Sequence, residues 1–161
     1  MSSHNNSPSD QVSFPRNYDN KILFFNRRCW KCGKISHIFY IGHPCEASSE
    51  DSFHPQVVTF VKNLKEEDIG KKLLLGEIKE RYSKTAQHSY FSFGCFYCDA
   101  IFGDFYVFEE VDNWFYLDNI PKDLFVVDLP PNIIEILEKD RAKRRQEYYD
   151  SHFNEDFEDS K

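Results

Sequence analysis

The chain has 161 residues and a net charge of −7, with 40% of its residues hydrophobic and 17% aromatic. Those values exclude collagen-like and wholly disordered classes and point to one domain with tails. The cysteine count is odd, at five, which argues against a disulfide framework and for metal or thiol chemistry.

Residues 1–20, rich in Ser, Asn, Asp and Pro, read as a disordered N-terminal segment. The opening MSSHNNSPSD has neither a basic nor an apolar leader region, and no apolar run approaches the roughly 20 residues that span a bilayer. A soluble cytoplasmic protein without membrane association is expected. Residues 21–29 (KILFFNRRC) and 34–42 (KISHIFYIG) read as strands of a hairpin joined by CWKCG. Period-2 alternation through Ile35, His37, Phe39 and Ile41 makes His37 a satisfied sheet histidine rather than a ligand.

Pro55 stands where a first helical residue belongs, and Val57, Val61 and Leu64 follow at helical spacing, which predicts a helix over 55–66. Residues 73–75 form an apolar patch of ambiguous type between Gly70 and Gly76. The aromatic segments 88–94 (HSYFSFG) and 103–111 (GDFYVFEEV) are expected to be strands flanking the second cysteine pair. Residues 124–129 read as a buried strand. A helix is predicted over 131–149, with Ile133, Ile136 and Leu137 packing and the second half solvated. Residues 150–161 form an acidic tail.

Two cysteine pairs at a spacing of three, CWKCG (Cys29, Cys32) and CFYC (Cys95, Cys98), stand far above chance for five cysteines in 161 residues. Two thiolates three residues apart on a tight turn can bind one ion, and two such turns complete a tetrahedron. Zinc accepts four thiolates at about 2.3 Å, and the closed shell leaves no place for substrate, so a structural zinc site is expected at Cys29, Cys32, Cys95 and Cys98. Zinc is favoured over rubredoxin-type iron, which would use the same ligands. Gly33 after the first pair permits positive φ, and Asp99 occupies the equivalent place after the second. Arg27, Arg28, Lys31 and Lys34 crowd the first pair and would offset the charge of a zinc tetrathiolate.

On these residues the chain resembles the zinc ribbon. Residues 82–110, with Gly103, Asp104 and Phe105 after the second pair, resemble small bacterial proteins of unassigned activity that combine a CWxC-type knuckle with a distant CxxC and a GDF segment. The resemblance covers residues 24–45 and 82–110 and implies a zinc site at the four cysteines. The linker far exceeds the roughly 15–20 residues of a compact pair of knuckles, which makes residues 45–81 an insertion. The expected fold class is thus α+β: a small antiparallel zinc-ribbon-like sheet with a helical insertion and a C-terminal helix, forming a single zinc-stapled domain over 21–149.

Other residues have plainer readings. Cys45 and His43 are treated as packing or surface residues rather than extra ligands. Asp104, Glu109 and Glu110 belong to no recognisable catalytic spacing and are read as solvated. Twelve aromatics between Tyr90 and Leu117 are assigned to the core, although strand alternation would force some of them to cover a helix, the insertion or a partner. The basic run 139–145 (KDRAKRR) is interrupted by Asp140 and followed by the acidic tail, so it reads as a salted helix face.

The expected function is a zinc-binding, metal-stabilised interaction module with a protein partner. The alternative is a nucleic-acid-binding ribbon using Arg27, Arg28, Lys31 and Lys34, which the negative net charge disfavours. An enzyme ranks third, since no nucleophile–base pair, P-loop or open metal site is present.

Overall fold

The computed structural model describes residues 18–42, 49–67, 70–117 and 119–153. Strands β1 (Lys21–Arg28) and β2 (Ile35–Ile41) form the expected hairpin, paired from Ile22 with Ile41 to Arg28 with Ile35. Short helix α1 (Ser49–Phe53) and α2 (Pro55–Glu66) follow. α2 has the predicted boundaries: Pro55 starts it, His54 caps it by accepting the Gln56 N–H, and Val57, Val61 and Leu64 are its buried stripe. Beyond it lie β3 (Ile78–Ser83), β4 (His88–Gly94), the two-residue β5 (Ile101–Phe102), α3 (Asp104–Tyr116), β6 (Phe125–Asp128) and α4 (Pro131–Phe153).

The class is α+β, with four α-helices and two small antiparallel sheets among the described residues where one sheet was expected, in the orders β2-β1-β6 and β3-β4-β5. Each knuckle hairpin recruits one further strand from elsewhere in the chain. β6 adds to the free edge of β1, and β3, whose first four residues lie within the expected insertion, adds to β4. The sheets meet through rings. Phe39 of β2 packs edge-on against Phe93 of β4 at 5.0 Å, and Phe93 also meets Phe53 of α1 at 4.9 Å. The segment at Leu74 and Leu75 docks beside β2: the His37 N–H donates to the Leu74 carbonyl, and the Leu74 N–H donates to His37 Nδ1, each at 2.9 Å. His37 is a satisfied sheet histidine.

Several expectations are corrected. Residues 104–116 are helical rather than a strand. The aromatic residues there favour strands, but Val107, Val111, Trp114 and Phe115 recur at helical spacing and bury one face, with Trp114 4.6 Å from Phe25 of β1. β6 is an edge strand with alternating exposure, not a buried one. α4 runs four residues past 149 to Phe153, so residues 150–153 are helix and not tail.

The second half of α4 is not merely solvated. Arg141 Nε and Arg144 Nη2 reach the two oxygens of Asp51, which is wholly buried, at 2.7 and 2.6 Å. Arg141 also donates to Asn20 Oδ1, tying α4 to α1 and the start of β1. Residues 1–17, Cys45, His43 and residues 154–161 lie outside the described residues. Among the described residues, no helix is long and apolar enough to cross a membrane.

Candidate metal centre

Each cysteine pair sits in the turn of a hairpin, and the two turns are built alike. In the first, the Cys29 N–H donates to the Lys34 carbonyl and the Gly33 N–H to the Cys29 carbonyl. In the second, the Cys95 N–H donates to the Ala100 carbonyl and the Asp99 N–H to the Cys95 carbonyl. The residue after each pair has positive φ, +71° at Gly33 and +57° at Asp99. Asp99 bears this geometry because Lys79 and Arg81 of β3 both pair with its carboxylate. Those contacts also hold that carboxyl below its usual range: the Lys79 hydrogen bond acts most strongly, against a smaller upward effect of burial.

The turns face each other, and all four sulfurs lie within 4.8 Å of one another. Cys29 Sγ is 3.6 Å from Cys98 Sγ, and Cys32 Sγ is 3.7 Å from Cys95 Sγ. A tetrahedron with metal–sulfur bonds of about 2.3 Å has edges of about 3.8 Å, so the cavity between the sulfurs fits such an ion. The donor set is compatible with a CxxC…CxxC zinc site and could hold a metal ion.

Protonation favours the same conclusion. Burial acts upward on the Cys95 thiol, but the Ser36 hydroxyl and the Tyr97 and Cys98 N–H groups outweigh it and bring it down to about 6. At Cys98 the Ala100 N–H acts downward, while burial and the three neighbouring sulfurs prevail and push the thiol up to about 12. The first thiolate forms readily; a second in the same small space needs a cation between them.

Three supports were missed in the sequence. Ser36, fully buried on β2, donates to Cys95 Sγ at 3.4 Å and accepts the Phe96 N–H at 3.0 Å, binding the first hairpin to the second knuckle. A serine in an apolar strand was the available signal. Trp30 Nε1, although its side chain is largely exposed, donates to the Ile101 carbonyl across the knuckles. Gly76 passes so close to the second knuckle that a Cβ there would fall 2.0 Å from the Gly94 carbonyl oxygen.

The four cations of the first knuckle do not act together. Arg27 pairs with Glu110 of α3, so that acid is not simply solvated. Arg28 donates to the Gly33 carbonyl at 2.8 Å, Lys34 sits 4.5 Å from the centre of the Tyr97 ring, and Lys31 is exposed. The aromatic residues are also less buried than expected. Phe93, Phe102, Trp114 and Phe115 are core, but Phe91, Phe96, Tyr97, Phe105, Tyr106, Phe108 and Tyr116 are exposed, because each knuckle turn and one side of α3 face outward.

Comparison with protein families, with curated proteins and with solved structures finds no match for this chain. The likeness to a zinc ribbon therefore rests on the cysteines and their hairpin turns, without a fold match to extend it.

Proposed function

We propose that the chain is a zinc-stapled interaction module, non-enzymatic and cytoplasmic, that binds a protein partner. The observation that carries the metal is the four-sulfur cluster at Cys29, Cys32, Cys95 and Cys98, whose spacing suits zinc and leaves no open coordination position for substrate. Zinc is preferred to iron because closed sets of four cysteines paired at this spacing are the usual structural zinc site. The partner surface in this reading is the outer face of the two knuckles, where Trp30, Phe96 and Tyr97 are exposed. Metal analysis of purified protein should give one zinc per chain, and protein that purifies without metal and is no less stable than the metal-loaded form overturns the site. Alanine at Phe96 and Tyr97 should abolish recovery of a co-purifying protein partner while leaving zinc bound; a monomer with no partner to lose refutes the interaction role.

One observation favours nucleic acid instead: Lys34 stands over the exposed Tyr97 ring, a combination of charge and stacking that suits single strands. Against it, four thiolates with one dication deepen the net charge of −7 by two. Titration of labelled single and double strands at two salt concentrations decides between them, with no binding at low salt excluding nucleic acid.

A further inference from the structure

Away from the cysteines, a cleft of about 420 Å³ opens between α1 and the start of α2 on one side and β4 and the start of α3 on the other. Phe53, Tyr90 and Phe91 are among the residues that line it, and Asp104, the acid of the Gly103-Asp104-Phe105 segment, lines it with them. The volume is that of a small-molecule site.

The charges around the cleft are not balanced. Arg144 reaches it but is already engaged, through Nη2 with Asp51 at 2.6 Å and through Nε with Glu50 at 3.2 Å. Asp51 also takes Arg141, so two arginines are matched by two acids. His54 accepts the Gln56 N–H at Nδ1, and its Nε2 lies 3.2 Å from Asp140, so both ring nitrogens are engaged. Asp104 remains. Its carboxyl is half-buried, burial raises its pKa, the Ser49 hydroxyl offsets part of that, and no cation pairs with it among the described residues.

A carboxylate with no cation partner among the described residues, in a cleft lined by aromatic residues, suits a cation on an apolar stem. The ring faces attract the positive charge and the rings cover methylene groups. An anion would be repelled, and an uncharged ligand would desolvate the carboxylate without compensation. We propose that this cleft binds an alkylammonium group, with Asp104 as its counter-ion and Phe53, Tyr90 and Phe91 as its aromatic walls. Two sources carry that chemistry, a lysine side chain of another protein and a free aliphatic amine. The site does not depend on the metal.

The full chain, as purified, is titrated with n-butylammonium, with n-butanol and with a short lysine-containing peptide, followed by calorimetry and by amide chemical shifts. Butylammonium should saturate and move resonances of residues 49–55, 90–91 and 103–105, while butanol should not. Asp104→Asn should weaken binding about tenfold or more, as loss of a partly desolvated charge pair does. Phe91→Ala, which removes an exposed ring and leaves the core intact, should weaken it several-fold. Tighter binding of the peptide than of butylammonium assigns the lysine source; equal or weaker binding of the peptide assigns the free amine. Absence of saturation, equal binding of butanol, or a folded variant binding as tightly as the parent overturns the proposal. Should Asp104→Asn fail to fold, Phe91→Ala decides alone.

Discussion

Removing the metal should cost stability by an amount the chain connectivity sets. The closest sulfur pairs across the centre are Cys29 with Cys98 and Cys32 with Cys95, separated by 69 and 63 residues. A cross-link closing a loop of that length restricts the unfolded chain by about 4 kcal/mol. For a domain of this size each kcal/mol moves the melting temperature by roughly 2–4 °C, so chelation should lower it by roughly 8–16 °C. The first sheet should survive, since Ile22, Leu23, Phe24, Phe39 and Ile41 are buried without help from the metal. The second sheet is held to it mainly through the Phe93 contacts, Ser36 and Trp30, so amide exchange should rise first around residues 94–102. The assay is thermal unfolding by circular dichroism with and without chelator, with metal content measured on the same samples. A melting curve that does not move after the metal has demonstrably gone would refute the reasoning.

Three other perturbations test different parts of the structure. Asp51→Ala strands the buried Arg141 guanidinium and should cost about 3–5 kcal/mol, whereas Arg144→Ala, at a side chain one-third exposed, should cost about 1 kcal/mol; denaturant midpoints measure both. Gly76→Ala drives a methyl into the Gly94 carbonyl and should cost about 3 kcal/mol and weaken metal retention against a competing chelator; a normal midpoint would show that the segment shifts freely. Burial lowers the pKa of His37 below its usual 6.5, and its Nδ1 accepts the Leu74 N–H, so the unfolded chain binds this proton more readily than the folded one. Stability from this residue is therefore complete above pH 6.5 and is lost as pH falls through the lowered value. Urea midpoints at pH 7.5 and 5.5 should converge more closely in His37→Asn than in the parent, and an unchanged difference refutes the assignment.

What could be read from the sequence was local. The two knuckles announce themselves because cysteine spacing, the positive-φ residue and the turn all fall within six positions. Helix α2 was legible with its boundaries because Pro55 and the stripe Val57, Val61 and Leu64 lie within one element. The partners of a charged residue are not encoded nearby. Asp51 meets Arg141 ninety positions later, and from sequence the basic run around Arg141 is a solvated face. The same holds for β3, whose six residues acquire strand character by pairing with β4, and for Ser36, whose role depends on Phe96 sixty residues away. α3 was misread for the opposite reason. Its local composition speaks for a strand, and the burial of Val107, Val111, Trp114 and Phe115 against the rest of the molecule overrides it.

The outward aromatics follow from the same arrangement. A small domain with a single methionine would ordinarily need its rings inside, yet seven of the twelve between residues 90 and 117 are exposed. A metal held by the four sulfurs would join the two hairpins and lessen what the core must supply, since it would restrain the second sheet, where only Phe93 and Phe102 are buried aromatics. The rings outside the core lie in three places: Phe96 and Tyr97 on the second knuckle turn, with Trp30 on the first; Phe91 in the lining of the cleft with Asp104; and Phe105, Tyr106, Phe108 and Tyr116 on the outward side of α3. The metal in this reading is closed to substrate and acts by position. In the proposed reading recognition belongs to the surfaces the metal would hold in place, and the two differ in charge: Lys34 sits over the Tyr97 ring of the second knuckle, and Asp104, with no cation partner among the described residues, lines the cleft. A ligand suited to one is unsuited to the other, so substitutions at Phe96 and at Phe91 should affect separate binding events.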